Sequence, residues 1–353
     1  MSSSEHLFPY EWKLADGYPA EGIKYHGCKV FGTFICGGGS SMGYKLAGYE
    51  HLGGVELDPA VAAVYKQNHH PKYLYNMDIR DFNELADLPA ELYNLDILDG
   101  SPPCSTFSTA GSREKAWGKE KKFAEGQKKQ TLDDLVFTYC NTIEKLKPKV
   151  CWLENVSGLL KGNAKAYAKE IVKRITDIGY RVQVFLLDAS TMGVPQRRER
   201  CFFIGLRNDY DLPRLVLNFN EKPIIFGECQ DDEDKGDIDK LPAQQKLIFL
   251  KKKKGDKYFK HVLMREEGRN SGFGQCIFSS NIVSPTITHS CVNTSLLFDY
   301  PRHLNDKELM RVSTFPQDYK ADNLAFVCGM SVPPVMAAQI ANQIYIQWLS
   351  KIN

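Results

Sequence analysis

Val30-Phe31-Gly32-Thr33-Phe34-Ile35-Cys36-Gly37-Gly38-Gly39-Ser40-Ser41 is the stretch whose reading decides the fold. Its first six residues suit a strand, the next six are small, and Met42 to Ala47 is compatible with a short helix closed by Gly48. Strand, glycine turn and helix together make a nucleotide-binding layout. Small residues let backbone N–H groups approach a ligand at the helix N-terminus. A tight glycine turn explains the stretch equally well by itself, so its neighbours carry the decision.

The neighbours repeat the pattern. His51 to Val55 reads as a second strand ending at Glu56-Leu57-Asp58, and Pro59 follows Asp58 as a first helical residue follows its cap. Ala60 to Asn68 then carries Val61, Val64 and Tyr65 at helical spacing. Glu56 lies at the end of the second strand, about twenty residues past the glycine turn, where a carboxylate accepts hydrogen bonds from ribose hydroxyls. A solvated loop carboxylate is the plainer alternative. Tyr73 to Asn76 reads as a third strand leading to Asp78-Ile79, and Leu95 to Leu98 as a fourth that runs through Asp99-Gly100 into Ser101-Pro102-Pro103-Cys104-Ser105. Two consecutive prolines fix φ twice and remove two donors, so this loop is stiff and can hold a thiol in a set direction. Taken alone, Cys104 could equally be a buried cysteine in a turn.

Thr131 to Lys147 and Ala164 to Ile178 read as amphipathic helices. Between them Val150-Cys151-Trp152-Leu153 is a fifth strand, delivering Glu154-Asn155-Val156 to the same edge as Cys104. Arg181 to Leu187 and Cys201 to Leu206 read as two further strands. They flank Pro195-Gln196-Arg197-Arg198-Glu199-Arg200, whose arginines suit a solvated strand entry or clamps for anions and carbonyls. The whole is an α/β chain with a mainly parallel central sheet. Its carboxyl edge is where such folds bind ligands.

Composition sets outer bounds. With 353 residues, 43% of them hydrophobic and 25% charged, the chain suits a large globular domain with a smaller companion. A net charge of only +2 means that a polyanion must be met by local basic patches. One such patch is Arg113 to Gln130, with seven Lys or Arg against three acids, interleaved with Trp117 and Phe123; directly after Cys104 it suits a mobile lid that meets phosphates, or a solvated loop. The ten cysteines include no Cys-x-x-Cys pair, which argues for reduced thiols in a cytoplasmic setting rather than zinc or disulfides. No apolar run reaches the length of a membrane span and the first residues lack a secretion pattern, so no membrane partner is expected.

After Arg207 the alternation of helix and strand lapses. Glu228 to Asp239 is acidic and reads as a solvated loop; Lys251 to Lys254 is a basic run that could face nucleic acid. Regular structure is expected again from Ser284, with Asn305 capping a helix through Val312 and a last helix from Pro334 to Trp348. The expected division is therefore 1–207, an irregular 208–283, and a return segment 284–353.

Pro103-Cys104, Glu154-Asn155-Val156 and Gln196 to Arg200, in this order, resemble the S-adenosylmethionine-dependent DNA (cytosine-5-)-methyltransferase family. The glycine turn, Glu56, Asp78-Ile79, Arg302-x-Leu304…Glu308…Arg311…Phe315-Pro316 and Gly329-Met-Ser-Val-Pro-Pro334 fit the same family, across residues 30 to 206 and 284 to 340. The resemblance implies a Rossmann-like methyltransferase in which 208–283 is a target-recognition domain. It implies that Cys104 adds to C6 of a cytosine flipped out of duplex DNA, making C5 nucleophilic towards the cofactor's methyl group. Glu154 would meet N3 and Arg200 the base O2, while Arg198 would support the loop or a phosphate and Gln196 would anchor the loop. Phe34, Cys36 and Gly38 would carry the methionine part of S-adenosyl-L-methionine, Glu56 the ribose, and Asp78 and Ile79 the adenine, with Leu57 also in the cofactor site. Pro103 and Ser331 would complete the cofactor site, and no metal is implied.

The chain departs from the family at Cys36, where a glycine is usual, and at Met330, where an asparagine is usual. Both bear on the amino-acid tail of the cofactor. The resemblance further implies duplex DNA as substrate, a monomer, and a cognate restriction endonuclease as a possible partner. Transfer RNA is the alternative substrate, because one branch of the family methylates it, and a catalytically silent DNA-binding relative is a different class. A nicotinamide dehydrogenase would explain the glycine turn and Glu56, but not Cys104, Glu154 and Arg200 together.

Overall fold

The fold is that of a computed structural model, described over residues 6–103, 133–162, 164–271, 274–289 and 294–352. Two compact units divide the chain. One comprises Tyr18–Asp188, Glu199–Asn218 and Ala337–Asn353; the other comprises Met1–Gly17, Ala189–Arg198 and Phe219–Met336.

The first unit is built on a sheet. In chain order it holds β1 (Lys29–Thr33), α1 (Gly39–Leu46), β2 (Glu50–Val55), α2 (Pro59–His69), β3 (Tyr73–Tyr75), α3 (Ile79–Glu84) and β4 (Ile97–Gly100). There follow α4 (Asp133–Leu146), β5 (Val150–Val156), α5 (Ala164–Ile178), β6 (Tyr180–Asp188) and β7 (Glu199–Arg207). The seven strands lie in the order β3-β2-β1-β4-β5-β7-β6. Strands β1 to β5 pair in parallel, whereas β7 is antiparallel to both β5 and β6. Chain order reverses on either side of β1, which makes the crevice beyond its carboxyl end the expected ligand site. This is the Rossmann-like, mainly parallel sheet that the motifs imply.

Local chemistry explains the elements. Asp58 caps α2, its Oδ1 accepting the amides of Ala60 and Val61, and Pro59 occupies the first turn. Helix α5 buries Ala164, Tyr167, Ala168, Ile171 and Ile175, a stripe at three- and four-residue spacing, and has the limits its sequence pattern gives. One face of the sheet is covered by α3, α4 and α5, whose Phe82, Tyr139, Ile143 and Ile171 pack in a core with Phe31, Leu98, Leu153 and Phe203. On the opposite face Tyr44 of α1 meets Trp152 edge-on at 5.4 Å, and Trp152 meets Phe202 at 5.4 Å. Each such large side chain contributes roughly 1.5–3 kcal/mol when fully buried.

The second unit contains α6 (Ala243–Lys251), α7 (Phe259–Glu267), β8 (Ile277–Phe278), β9 (Leu296–Leu297), α8 (Asp306–Ser313) and α9 (Leu324–Met330); α10 (Pro334–Gln347) spans the boundary. Ile248, Phe259, Val262, Leu263, Ile277 and Leu296 form its small core. Two nine-residue helices thus stand where the sequence suggests only long loops. Their apolar residues make a face only against partners distant in sequence, so no local pattern announces them. Residues 208–218 run with the sheet unit instead, the Gln183 side chain bonding both the N–H and the carbonyl of Leu215.

The acidic stretch after Glu228 is tied down rather than free. Arg302 donates to the carbonyls of Asp231 and Asp234 and forms a bidentate pair with the fully buried Glu308 at 2.7 and 2.9 Å. Glu308 also accepts the amides of Asn305 and Asp231, and Asn305 caps α8 through the Glu308 amide. Among the described residues one stretch, Leu324–Lys351, is long and apolar enough to cross a membrane, and its apolar segment is mostly buried within the protein.

Candidate active site

The glycine turn is shaped by burial. Phe34 and Cys36 adopt φ of 56° and 46°, and Gly38 is left-handed at 78° as the residue preceding α1. A Cβ on Gly38 would lie 2.2 Å from Nε2 of buried His69, so only glycine fits there. His69 Nε2 in turn lies 3.2 Å from the Gly37 carbonyl, holding the turn from beneath.

Glu56 joins this turn to the end of β2. Its Oε2 accepts the Cys36 amide at 2.9 Å and its Oε1 accepts the Asp58 amide at 3.0 Å. Burial pushes its carboxyl pKa up, against the pull of these backbone donors. The Leu57 amide donates to it as well; a carboxylate has about four lone-pair sites, so acceptor capacity remains for a hydroxyl. Leu57 lies beside it, and its carbonyl and that of Glu56 both accept from the Asn76 amide group. Asp78 caps α3 through the Arg80 amide at 2.9 Å, and Ile79 begins that helix with its side chain in the core. Phe34, Cys36, Gly38, Glu56, Leu57, Asp78 and Ile79 therefore follow the carboxyl ends of β1, β2 and β3. A glycine turn, a buried acid with spare acceptor capacity and an acid at a helix start fit an adenosine cofactor in donor and acceptor chemistry.

Pro103 closes the strand β4 loop on the same edge; Cys104 and the basic segment 113–130 lie outside the described residues. The loop is tethered to β5. Asn155 Nδ2 donates to the Pro102 carbonyl at 3.2 Å, while its Oδ1 accepts the Val156 amide at 2.9 Å. That tether is a function of Asn155 which the sequence pattern alone does not assign.

Glu154 and Arg200 meet on this edge. In the antiparallel register Glu154 pairs with Phe202 and Val156 with Arg200, so the two are diagonal neighbours on one face, within reach of long side chains. Arg200 Nε lies 3.0 Å from Glu154 Oε1, with both side chains largely buried. Such a pair presents an acid and a fixed donor side by side, the two groups needed against a polar ring edge. Asp99, one strand away, is 2% exposed, and Ser40 donates to its Oδ2 at 2.6 Å. Ser40 belongs to the glycine turn, whereas Asp99 belongs to no motif recognised in the sequence.

Arg198 belongs to the other unit and is 2% exposed. Its guanidinium donates to the carbonyls of Ile287, Gly329 and Ser331, each at 2.9 Å. These bonds pin the Gly329-Met330-Ser331 turn to the Gln196–Arg198 segment. Gln196 is likewise buried, accepting the Ile287 amide and donating to the Val312 carbonyl. Ser331 is buried here, and its carbonyl is one of the Arg198 acceptors.

A mainly parallel sheet whose chain order reverses at β1, with a glycine turn, a buried acid and an acid–arginine pair at its carboxyl edge, is the layout of a Rossmann-like methyltransferase. The C-5 cytosine-specific DNA methylase family matches residues 29–346, and the chain belongs to that family: it is a DNA (cytosine-5-)-methyltransferase. The type II methyltransferase M.HindV of Haemophilus influenzae is 32% identical over 328 residues, covering 87% of this chain and 93% of that protein. Type II methyltransferase M.DdeI of Desulfomicrobium norvegicum is 26% identical over 390 residues, covering 92% and 90%. In fold the chain is similar to a mutant DNMT2 of Spodoptera frugiperda, with a TM-score of 0.62 at 18% identity over 90% of this chain and 99% of that one. Methyltransferases of this family generally use S-adenosylmethionine.

Proposed function

We propose that this enzyme methylates C5 of a cytosine flipped out of a specific duplex DNA sequence, through a transient Cys104–C6 bond. The Glu154–Arg200 pair, beside the Asn155-tethered loop that leads to Cys104, is the observation that carries the reading. S-adenosyl-L-methionine supplies an electrophilic methyl group. The chain's own residues do the rest. The Cys104 thiolate adds to C6, and the electron pair of the C5–C6 bond becomes available at C5 while Glu154 protonates N3. Arg200 donates to the base O2, where negative charge also gathers. After transfer the C5 proton leaves to a base, the C6–S bond breaks to release the thiolate, and the N3 proton returns to Glu154.

Phe34, Cys36 and Gly38 hold the methionine portion of the cofactor in this reading, Glu56 and Leu57 the ribose, Asp78 and Ile79 the adenine. Pro103 packs near the methyl group. Arg198 acts by fixing the carbonyls of Ile287, Gly329 and Ser331, and through them the turn that bears Ser331. Within 208–283, the residues from Phe219 onward read the target by their contacts with base edges. We further assign a monomer acting in the cytoplasm; the type II methyltransferase relatives make a cognate restriction endonuclease a possible partner.

Methyl incorporation from labelled cofactor into duplex DNA and into transfer RNA, followed by bisulfite sequencing, is the test. Labelled duplex with 5-methylcytosine in one sequence context is the expected result. Label confined to transfer RNA would overturn the substrate assignment.

A further inference from the structure

Two residues with side chains stand in the left-handed region of the glycine turn, Phe34 at φ 56° and Cys36 at 46°. Such backbone persists only where its surroundings hold it. Glu56 holds one part of the turn through the Cys36 amide. The next part, Gly37 to Ser41, rests on α2. There Tyr65 and His69 stand four residues apart and stack face to face, ring centroids 4.2 Å apart and planes at 7°. Both are buried. A Cβ on Gly38 would lie 2.2 Å from His69 Nε2 and 2.8 Å from Tyr65 Cε2, so the two rings form the floor under the turn.

Each ring also bonds the chain above it. His69 Nε2 lies 3.2 Å from the Gly37 carbonyl and meets it as a donor, which fixes the tautomer with hydrogen on Nε2. The Tyr65 hydroxyl donates to Ser41 Oγ at 3.1 Å and lies 3.3 Å from Nδ1 of His51 on β2. One turn further along α1, Lys45 Nζ donates to the His69 carbonyl at 3.2 Å. On the other flank Ser40 donates to Asp99 of β4. Residues 37, 40 and 41 are thus each held by a side chain from a different element. They lead into and open α1, where the first turn leaves N–H groups without partners in the helix.

We propose that Tyr65 and His69 are positioning residues for S-adenosyl-L-methionine, a stacked pair that holds Gly37 to Ser41 from beneath in the shape that receives the cofactor. A ligand binds only the fraction of molecules whose turn already has that shape, so the apparent Kd rises as the fraction falls. Loss of either bond lets the strained turn relax and lowers this fraction. Cys104, Glu154 and Arg200 stand on other elements, so the pair governs cofactor affinity and leaves turnover at saturating cofactor alone.

This inference rests on the reading of the glycine turn as the cofactor seat, and its test separates the two. Tyr65→Phe keeps the stack and removes the hydroxyl. His69→Leu fills the space without a donor, whereas His69→Gln restores an N–H at about the reach of Nε2. Calorimetry of the full-length protein with S-adenosylmethionine should show Kd raised about tenfold or more in His69→Leu and about three- to tenfold in Tyr65→Phe. His69→Gln should stay within about threefold of wild type, and kcat at saturating cofactor within about twofold in all three. In the free protein the amides of Gly38 and Met42, bonded to the Ile35 and Gly38 carbonyls, should exchange hydrogen faster in His69→Leu and Tyr65→Phe. Unchanged affinity and exchange in Tyr65→Phe and in folded His69→Leu, with only a lower melting temperature, overturns the proposal. Faster exchange in a protein whose wild type binds no S-adenosylmethionine upholds the floor's hold on the turn and refutes the cofactor reading instead.

Discussion

Glu56 Oε2 accepts the Cys36 backbone amide at 2.9 Å, so the acid at the end of β2 fixes the turn that follows β1. One carboxylate therefore shapes the glycine turn as well as standing ready for a ligand. Glu56→Ala should weaken cofactor binding by well over tenfold, by losing both the turn's anchor and the hydroxyl acceptor, and leave DNA affinity within about threefold. Calorimetry with S-adenosylmethionine and DNA anisotropy measure the two. Equal loss in both would point to a folding defect.

Cys104→Ser and Glu154→Gln test the chemistry separately. A serine hydroxyl is barely ionised near neutral pH, so Cys104→Ser should abolish turnover with DNA binding largely intact. Glu154→Gln keeps the shape but not the transferable proton, and should lose on the order of 10²–10⁴-fold in kcat. Turnover of either variant within tenfold of wild type would sink its assignment.

The Arg302–Glu308 pair carries stability rather than chemistry. Both side chains are buried and Glu308 meets donors on both oxygens, from Arg302, Asn305 and Asp231. Glu308→Ala strands a buried guanidinium and should cost about 3–5 kcal/mol in urea unfolding. A loss below about 1 kcal/mol would mean that water reaches Arg302 and replaces the carboxylate.

Asp99 makes stability depend on pH with a definite sign. Its carboxyl is pushed up to about 7 by burial, whereas an unfolded aspartate titrates at roughly 4. Across that window the folded chain holds a proton that the unfolded chain releases, so Asp99 lowers stability as pH rises from roughly 4 to 7. Asp99→Asn removes the dependence. Its melting temperature relative to wild type should climb through this window and level off above it, and a flat difference would contradict the burial of the charge.

Exchange of residues 219–283, all within the second unit, for those of a relative tests the division of labour. Cys104, Glu154 and Arg200 lie outside the exchanged segment, and base edges rather than phosphates carry sequence information. The chimera should methylate a different cytosine context in bisulfite sequencing. An active, folded chimera with the original target would move specificity to another part of the chain.

The sequence by itself determined what depends on neighbours along the chain. Asp58-Pro59 set the start of α2, the three- and four-residue spacing from Ala164 to Ile175 set α5, and the small residues after Ile35 set the turn into α1. These are local preferences of φ, capping and period, legible in any single segment. The ordered motifs likewise fixed the family.

Tertiary structure alone decided which distant groups meet. Glu154 and Arg200 touch because β5 and β7 pair antiparallel in one register, and a slip of one residue would turn them to opposite faces. Arg198 finds its acceptors at Ile287, Gly329 and Ser331, and nothing in the Gln196–Arg200 run distinguishes that buried role from a phosphate clamp. The apolar positions of α6 and α7 become a core only once Ile277 and Leu296 close over them. Asp99 reads as an ordinary strand-end acid until the sheet buries it on the face of Glu154. Burial and register are properties of the assembled fold, and they set the charge, the partner and hence the chemistry of a side chain that the sequence merely names.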